Sequence, residues 1–248
     1  MDRPEDTSVA RGAAQFATTH WSVVLSAGEA EASESSASLE RLCRTYWYPL
    51  YAFVRRKGYS PEDAEDLTQG FFERLLEKHF LKEVDPALGR FRTFLLTALK
   101  HFLANEWDRV KAVKRGGNVK FVPLDSPALE ERFCADASGE EPPERRFDRL
   151  WAEAVMDRAL AALEEEHRTA NKVAQFEVFA EFLSRPPEED EYARVGATLR
   201  LNSHAVAVAV SRMRERYQTL IRTEIAHTVA NAQEVDAELR YLIDVISA

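Results

Sequence analysis

Two adjoining segments between Ser60 and Gly117 have helical periodicity but opposite charge, and this pair constrains the fold most strongly. The first segment opens with Ser60 as a suitable N-cap and Pro61 at the first helical position. Its apolar residues recur at helical spacing, and polar residues of another face recur at steps of four, three and four. The apolar positions are Leu67, Phe71, Leu75 and Leu76, and the polar ones are Glu62, Asp66, Gln69 and Glu73. The first segment is therefore predicted to be an amphipathic helix with an acidic face.

The second segment follows a break at Asp85-Pro86 and Gly89 and ends at Gly116-Gly117. Its first part is apolar at helical spacing, and its later part interleaves basic and aromatic residues. Residues 100–120 contain six basic and two acidic residues, although the whole chain has a net charge of −9. Because the distribution of charge matters more than its sum, the acidic total does not exclude a nucleic acid as partner.

The composition favours an all-α fold, since only 9 of the 248 residues are Gly and 10 are Pro. No stretch approaches the roughly 20 apolar residues of a membrane span, and the N-terminus lacks a signal peptide, so a cytoplasmic protein is expected. Cys43 and Cys134 lie far apart in the sequence, and neither has a His or Cys at metal-binding spacing. Two such isolated cysteines are typical of a protein in a reducing compartment. No phosphate-binding glycine loop, HExxH or Cys-x-x-Cys motif is present, so we predict neither an enzyme nor a bound metal or cofactor.

The two segments resemble region two of bacterial RNA polymerase sigma factors, most closely the small extracytoplasmic-function (ECF) class. The resemblance lies in Asp63-Ala-Glu-Asp-Leu-Thr-Gln-Gly-Phe-Phe-Glu-Arg-Leu and in Phe91-Arg-Thr-Phe-Leu-Leu-Thr-Ala-Leu-Lys. In that family the acidic helix docks on the polymerase clamp, and the basic-aromatic helix melts and reads the −10 element. The residues implied to bind core RNA polymerase are Asp63, Asp66, Gln69 and Glu73. Those implied to contact −10 DNA are Lys100, Trp107, Arg109, Lys111, Lys114 and Arg115. From the residues alone, the alternative is a buried Trp107 among solvated cations.

The periodicity predicts two small helical bundles joined by a flexible linker. Four aromatic residues between Tyr46 and Tyr51 are expected in the core of the first bundle rather than as a nucleotide-stacking platform. The apolar stripe near the C-terminus is expected to fold back on the second bundle, with docking of a regulator as the alternative. The predicted parts are an N-terminal extension with a short helix (1–38), a region-two-like domain (39–117), an acidic linker (118–148), a helix-turn-helix domain (149–222) and a C-terminal helical extension (223–248).

Residues 191–217 have the layout of a helix-turn-helix, and their order resembles region four of ECF sigma factors, whose second helix enters the −35 major groove. Asn202 or Ser203 would cap that helix. Arg200 stands where a glycine is common, and the groove side is mainly Ala and Val where the family often has Lys or Arg. We therefore expect shallow base readout and contact mainly through phosphates. The predicted −35 contacts are Arg200, Ser203, His204, Ser211, Arg212 and Arg214.

The sequence thus predicts an ECF-type sigma factor with core RNA polymerase and promoter DNA as partners, room for an anti-sigma or other regulatory protein, and no membrane association. Two alternatives remain. One is a sigma-like regulator that binds polymerase but scarcely contacts −35 DNA. The other is a helical adaptor that binds only proteins.

Overall fold

The computed structural model describes residues 32–75, 90–112, 126–136, 141–229 and 231–247, with side chains described in these ranges except at 32–41, 108–112 and 126–127. Every regular element in these ranges is helical, without a strand, which confirms the predicted all-α fold. None of the described helices is long and apolar enough to cross a membrane. The short helix predicted in the N-terminal extension lies outside the described residues.

The helices, in chain order, are α1 (Ala32–Arg56), α2 (Pro61–Leu75), α3 (Phe91–Ala112), α4 (Ser126–Ala135), α5 (Pro143–Thr169), α6 (Val173–Phe179), α7 (Glu181–Ser184), α8 (Glu191–Leu199), α9 (Ser203–Ala226) and α10 (Val235–Ser247), with a 3-10 turn at Ala232–Glu234. They form two compact units. The first unit contains the described residues up to Ala154 and those from Ala226 onward, and the second unit is Val155–Ile225. Helix α5 contributes residues to both.

Aromatic side chains fill the core of the first unit. Tyr46 packs edge-on against Phe91, with ring centroids 5.5 Å apart, and Phe71 meets Phe102 at 5.8 Å in the same geometry. Tyr46 and Tyr51 are fully buried, so the expectation that this aromatic stretch belongs to the core is confirmed. The predicted cap of α2 is also present, because the Asp63 amide donates to Ser60 Oγ at 3.1 Å.

The predicted flexible linker at 118–148 contains helix α4, which packs against the first unit. Tyr51 Oη donates to Glu130 Oε2 at 2.8 Å, and Arg55 forms an ion pair with Glu130 at 2.6 Å. At the end of α4, Asp136 pairs with the buried Arg146 at 2.7 Å. Acidic residues of this predicted linker are therefore countercharges for basic side chains of α1 and α5, and these pairs tie α4 to the rest of the first unit.

The C-terminal helix α10 packs in the first unit, whereas we expected the C-terminal extension to fold back on the second. Its Glu238 side chain is 1% exposed and pairs with Arg92 of α3 at 2.7 Å and with Arg90 at 2.9 Å. Arg92 also contacts Asp148 at 2.7 Å, and Asp148 accepts a hydrogen bond from Tyr241 at 2.7 Å. A buried carboxylate needs a cationic partner. The first unit supplies that partner, and the apolar periodicity alone did not reveal it.

The second unit has a separate apolar core formed by α5, α6, α7, α8 and α9. The helical spacing of Val206, Val210 and Met213 predicts that these residues face the core, and all three are buried. The core side chains are Leu163, Phe176, Phe179, Phe182, Val206, Val210 and Met213. This core fixes α8 and α9 on either side of a short turn.

The turn between α8 and α9 has three local determinants. Arg200 adopts the left-handed conformation, with φ of 57°, where we expected an ordinary residue to replace the usual glycine. A Cβ at Gly196 would lie 2.5 Å from the Leu201 carbonyl oxygen, so only glycine fits there. Asn202 caps α9, since its Oδ1 accepts the Ala205 amide hydrogen bond at 2.7 Å.

Candidate functional site

The predicted polymerase-binding residues lie along one side of α2. Asp63, Asp66 and Glu73 are exposed, and Gln69 is half-buried and donates to Glu73 Oε1 at 3.2 Å. Asp63 also accepts a hydrogen bond from Ser60 Oγ at 2.9 Å. The opposite side of the helix is buried through Ala64, Thr68, Phe71, Phe72 and Leu75. This geometry gives α2 a fixed orientation with its acidic face in solvent.

The charge of this acidic face is uncompensated in the described part of the chain. None of Asp63, Asp66 and Glu73 forms an ion pair with a described Lys or Arg. By contrast, Glu130, Asp136, Glu141 and Glu144 each pair with one. Exposed carboxylates that are already fixed on a rigid helix retain their attraction for a basic partner. The face can therefore dock on a positively charged protein surface.

A second surface feature is a pocket of about 350 Å³ between the end of α1 and the middle of α3. Phe53 and Leu103 form its apolar base, at 1% and 8% exposure, and Trp107 stands at its edge with 56% exposure. Gly58 adopts φ of 93°, a left-handed conformation that glycine adopts at no steric cost, and the turn there presents Tyr59 to the pocket. The lining residues are Phe53, Lys57, Tyr59, Lys100, Leu103, Ala104 and Trp107.

Two ammonium groups border the pocket. Lys57 Nζ lies 5.1 Å from the centroid of the Phe53 ring, and Lys100 Nζ lies 5.7 Å from it. Both lysines face Glu144 of α5, Lys100 at 2.8 Å and Lys57 at 4.0 Å. The hydrogen bond from Lys100 and one from its own backbone amide lower the pKa of Glu144 below its usual value. Aromatic faces beside two cations suit a flat, anionic ligand such as a nucleotide.

Of the predicted −10 contacts, the structure brings Lys100 and Trp107 together at this pocket. The exposure of Trp107 excludes the alternative that it belongs to the core. The side chains of Arg109 and Lys111, and all of Lys114 and Arg115, lie outside the described residues. Sequence reasoning missed the contributions of Phe53, Tyr59 and Glu144. Lys57, just after the basic end of α1, is likewise not among the predicted DNA contacts, because cations at a helix C-terminus also suit the helix dipole.

The predicted −35 contacts divide into two groups. Five are exposed in the second unit, namely Arg200, Ser203, His204, Ser211 and Arg212. Arg214 is different, because its guanidinium donates to the Phe182 carbonyl oxygen at 2.6 and 2.8 Å and to that of Arg185 at 3.0 Å. These bonds satisfy carbonyl groups at the end of α7. Arg214 therefore supports the fold of the second unit, and its role as a −35 contact stays a prediction.

Among the described residues there is no group of three or more His, Cys, Asp or Glu side chains that could hold a metal ion. Both cysteines are free thiols, and burial raises the pKa of Cys43 to about 11, so that this thiol stays protonated at neutral pH. The described residues offer two candidate binding surfaces, an acidic one on α2 and a basic-aromatic one beside α3.

Comparison with known proteins gives one finding. Residues 42–112 match the family model Sigma-70 region 2. Comparisons with curated proteins and with solved structures give no match. The matched range contains the acidic face of α2 and every lining residue of the pocket, and it supports a relation of this part of the chain to the sigma-70 family.

Proposed function

We propose that this protein is an ECF-type sigma factor that binds core RNA polymerase and directs promoter recognition and opening. The observation that carries the proposal is the joint presence, within the range matching Sigma-70 region 2, of an uncompensated acidic helix face and a basic-aromatic pocket. The first fits a protein partner, and the second fits unpaired DNA. The protein acts in the cytoplasm, where its partners are.

Polymerase binding is assigned to Asp63, Asp66, Gln69 and Glu73. Their side chains lie on one helix face whose other side is anchored in the core, so docking orders little additional backbone. Low ordering cost favours a specific interface. Complementary charge would speed association and fix the register of docking.

Promoter melting is assigned to the pocket and the surface of α3 around it. A base can stack on Trp107 only when it is unpaired, and Lys57 and Lys100 can receive the adjoining phosphates. Because stacking requires extruded bases, the pocket would bind single strands in preference to duplex. We propose Arg109, Lys111, Lys114 and Arg115 as further phosphate contacts.

The second unit is proposed to bind the −35 element as a helix-turn-helix. Arg200 and Arg212 are the expected phosphate contacts, with Ser203, His204 and Ser211 nearest to base edges. An anti-sigma or other regulatory protein would complete the set of partners.

A second candidate is a sigma-like regulator that binds polymerase with little −35 readout. Two observations favour it. Helix α9 carries small apolar residues at Ala205, Ala207 and Val208, which offer no hydrogen bond to a base. In addition, Arg214 is committed to carbonyl groups of its own unit.

The test combines co-purification and run-off transcription. Asp66→Arg with Glu73→Arg should abolish binding to core polymerase, since losing two charged contacts costs on the order of 2–5 kcal/mol. The control, Glu131→Arg with Glu177→Arg, makes the same charge change at exposed positions outside the acidic face. Helical content should be unchanged in both. Equal binding by the two variants would refute the polymerase assignment.

Transcription then separates the two candidates. The wild-type chain added to core enzyme should produce run-off transcripts, whereas a regulator without promoter recognition or an adaptor would not. Trp107→Ala should weaken single-strand binding by about 1–3 kcal/mol and impair open-complex formation more than polymerase binding. Permanganate footprints identical to those of wild type would exclude Trp107 from melting.

A further inference from the structure

The two lysines of the pocket are already engaged by a carboxylate of the same unit. Glu144 Oε1 lies 2.8 Å from Lys100 Nζ and 4.0 Å from Lys57 Nζ. A DNA phosphate arriving at the pocket would need the same two ammonium groups. A phosphate and a carboxylate at one cation also repel each other, so they compete for it.

Glu144 is held in this position by its surroundings rather than by chance. It lies in the first turn of α5, where a negative side chain is favoured by the helix dipole. Arg146 and Phe147, two and three residues further along α5, are buried, and Arg146 pairs with Asp136 at 2.7 Å. The hydrogen bond from Lys100 lowers the pKa of Glu144, which keeps the carboxylate ionised at neutral pH. The negative charge is thus a fixed part of the pocket rim.

We propose that Glu144 is an internal competitor of DNA phosphate, so that nucleic acid binds this pocket only by displacing the carboxylate from Lys57 and Lys100. The proposal rests on the proposed function, in which the pocket binds unpaired DNA. These ion pairs weaken DNA binding but do not prevent it. All three side chains are between 41% and 44% exposed, and exposed ion pairs are weak in water. Weak single-strand binding by the free chain follows from this competition.

The experiment measures the binding of a dye-labelled single-stranded oligonucleotide to the full-length chain by fluorescence anisotropy at low salt. Glu144→Gln should tighten binding by up to about fivefold, the range expected for losing an exposed ion pair. Glu141→Gln is the matched control. It removes the same charge from the same segment, but Glu141 pairs with Arg149 and not with the two lysines. Its change should be much smaller. In 0.5 M salt the gain from Glu144→Gln should fall towards onefold, since screening weakens the competition.

A second pair of variants separates this proposal from the proposed function. Lys100→Met alone should weaken oligonucleotide binding, and Glu144→Gln added to Lys100→Met should give less gain than in the wild-type background. If Lys100→Met leaves binding unchanged, the pocket does not bind DNA, and the proposed role of the pocket fails. If Lys100→Met weakens binding but Glu144→Gln gives no gain, or the same gain with and without Lys100, the competitor role of Glu144 is overturned while the pocket remains the binding site.

Discussion

The basic side chains beside α3 in the first unit and those along α9 in the second differ in how they are bonded within the protein. At the pocket, Lys57 and Lys100 stay at the surface and share one exposed carboxylate. On α9, Arg214 donates hydrogen bonds to carbonyl oxygens of its own unit, and Arg216 pairs with Glu166 at 2.5 Å. The first surface keeps its cations available to a partner, whereas the second leaves mainly Arg212 from this basic run.

This difference shows that a basic residue on a candidate binding helix can either stabilise the fold or stay exposed for a partner. Its contacts within the protein distinguish the two roles. Helix α3 shows both on one element. Arg92 near its start is 5% exposed and pairs with Glu238, whereas Lys100 lies near the surface. The spacing of charges along the sequence does not distinguish the two, but burial and partners do.

The largest expected effect contrasts Arg92→Met with Lys100→Met. Among the described residues, removing Arg92 leaves Arg90 as the one cation paired with the buried Glu238. We therefore expect a loss of about 3 kcal/mol in the free energy of unfolding of the first unit. Lys100→Met, an exposed change, should stay within about 0.5 kcal/mol. Tryptophan fluorescence during urea unfolding measures this, because none of the chain's Trp residues lies in Val155–Ile225. Equal losses would mean that the buried pair contributes no more than a surface lysine.

The next effect applies the same contrast to α9. Arg214→Ala leaves the Phe182 and Arg185 carbonyl oxygens without their charged donor and should destabilise the second unit by about 2 kcal/mol. Arg212→Ala should leave stability unchanged but weaken binding to all promoters alike, since phosphate contacts carry no sequence information. Circular dichroism during unfolding and transcription from several promoters are the two measurements. A stable Arg214→Ala variant that binds DNA poorly would show instead that Arg214 serves as a phosphate contact.

Local features of this chain could be predicted from its sequence, and contacts between distant residues could not. The Ser60 cap, the apolar side of α2 and the buried positions of α9 all depend on neighbours within one or two helical turns. Arg92 and Glu238 are 146 residues apart, and Tyr51 and Glu130 are 79 apart. No periodicity encodes such pairings, so the packed helix α4 and the position of α10 were not predicted.

The candidate site divides in the same way. Lys100 and Trp107 were predicted because basic and aromatic residues interleave along one helix. Phe53 comes from α1, Tyr59 comes from the turn between α1 and α2, and Glu144 comes from a segment predicted to be a linker. A pocket assembled from three segments is visible only once those segments are packed.

A smaller effect is expected at the turn of the second unit. Arg200 adopts the left-handed conformation, with φ of 57°, which costs about 1–2 kcal/mol for a residue other than glycine. Arg200→Gly should therefore stabilise the second unit by about 0.5–1 kcal/mol, after allowing for the greater freedom of glycine in the unfolded chain. If Arg200 also contacts phosphate, the same variant should bind promoters more weakly. Gain of stability with unchanged transcription would show that Arg200 serves only the turn.

The smallest effect compares two carboxylates, Glu191 in the second unit and Glu144 at the pocket. Arg185 contacts both oxygens of Glu191, at 2.7 and 2.9 Å, and the Glu188 amide donates at 2.8 Å, which lowers the pKa of Glu191 from 4.5 to about 2. A carboxyl whose pKa is lower in the folded than in the unfolded state stabilises the protein at pH values above its unfolded pKa. This contribution is lost as the pH falls through the folded pKa.

Wild type should thus exceed Glu191→Gln in stability at pH 7, and the difference should narrow as the pH falls below 4.5 towards 2. Glu144→Gln should show a smaller gap, because Glu144 has one cation at hydrogen-bond distance, Lys100, while Lys57 lies 4.0 Å away. If Glu144→Gln gave the larger pH-dependent gap, the pocket carboxylate would be a structural group, and the contrast between the two surfaces would fail.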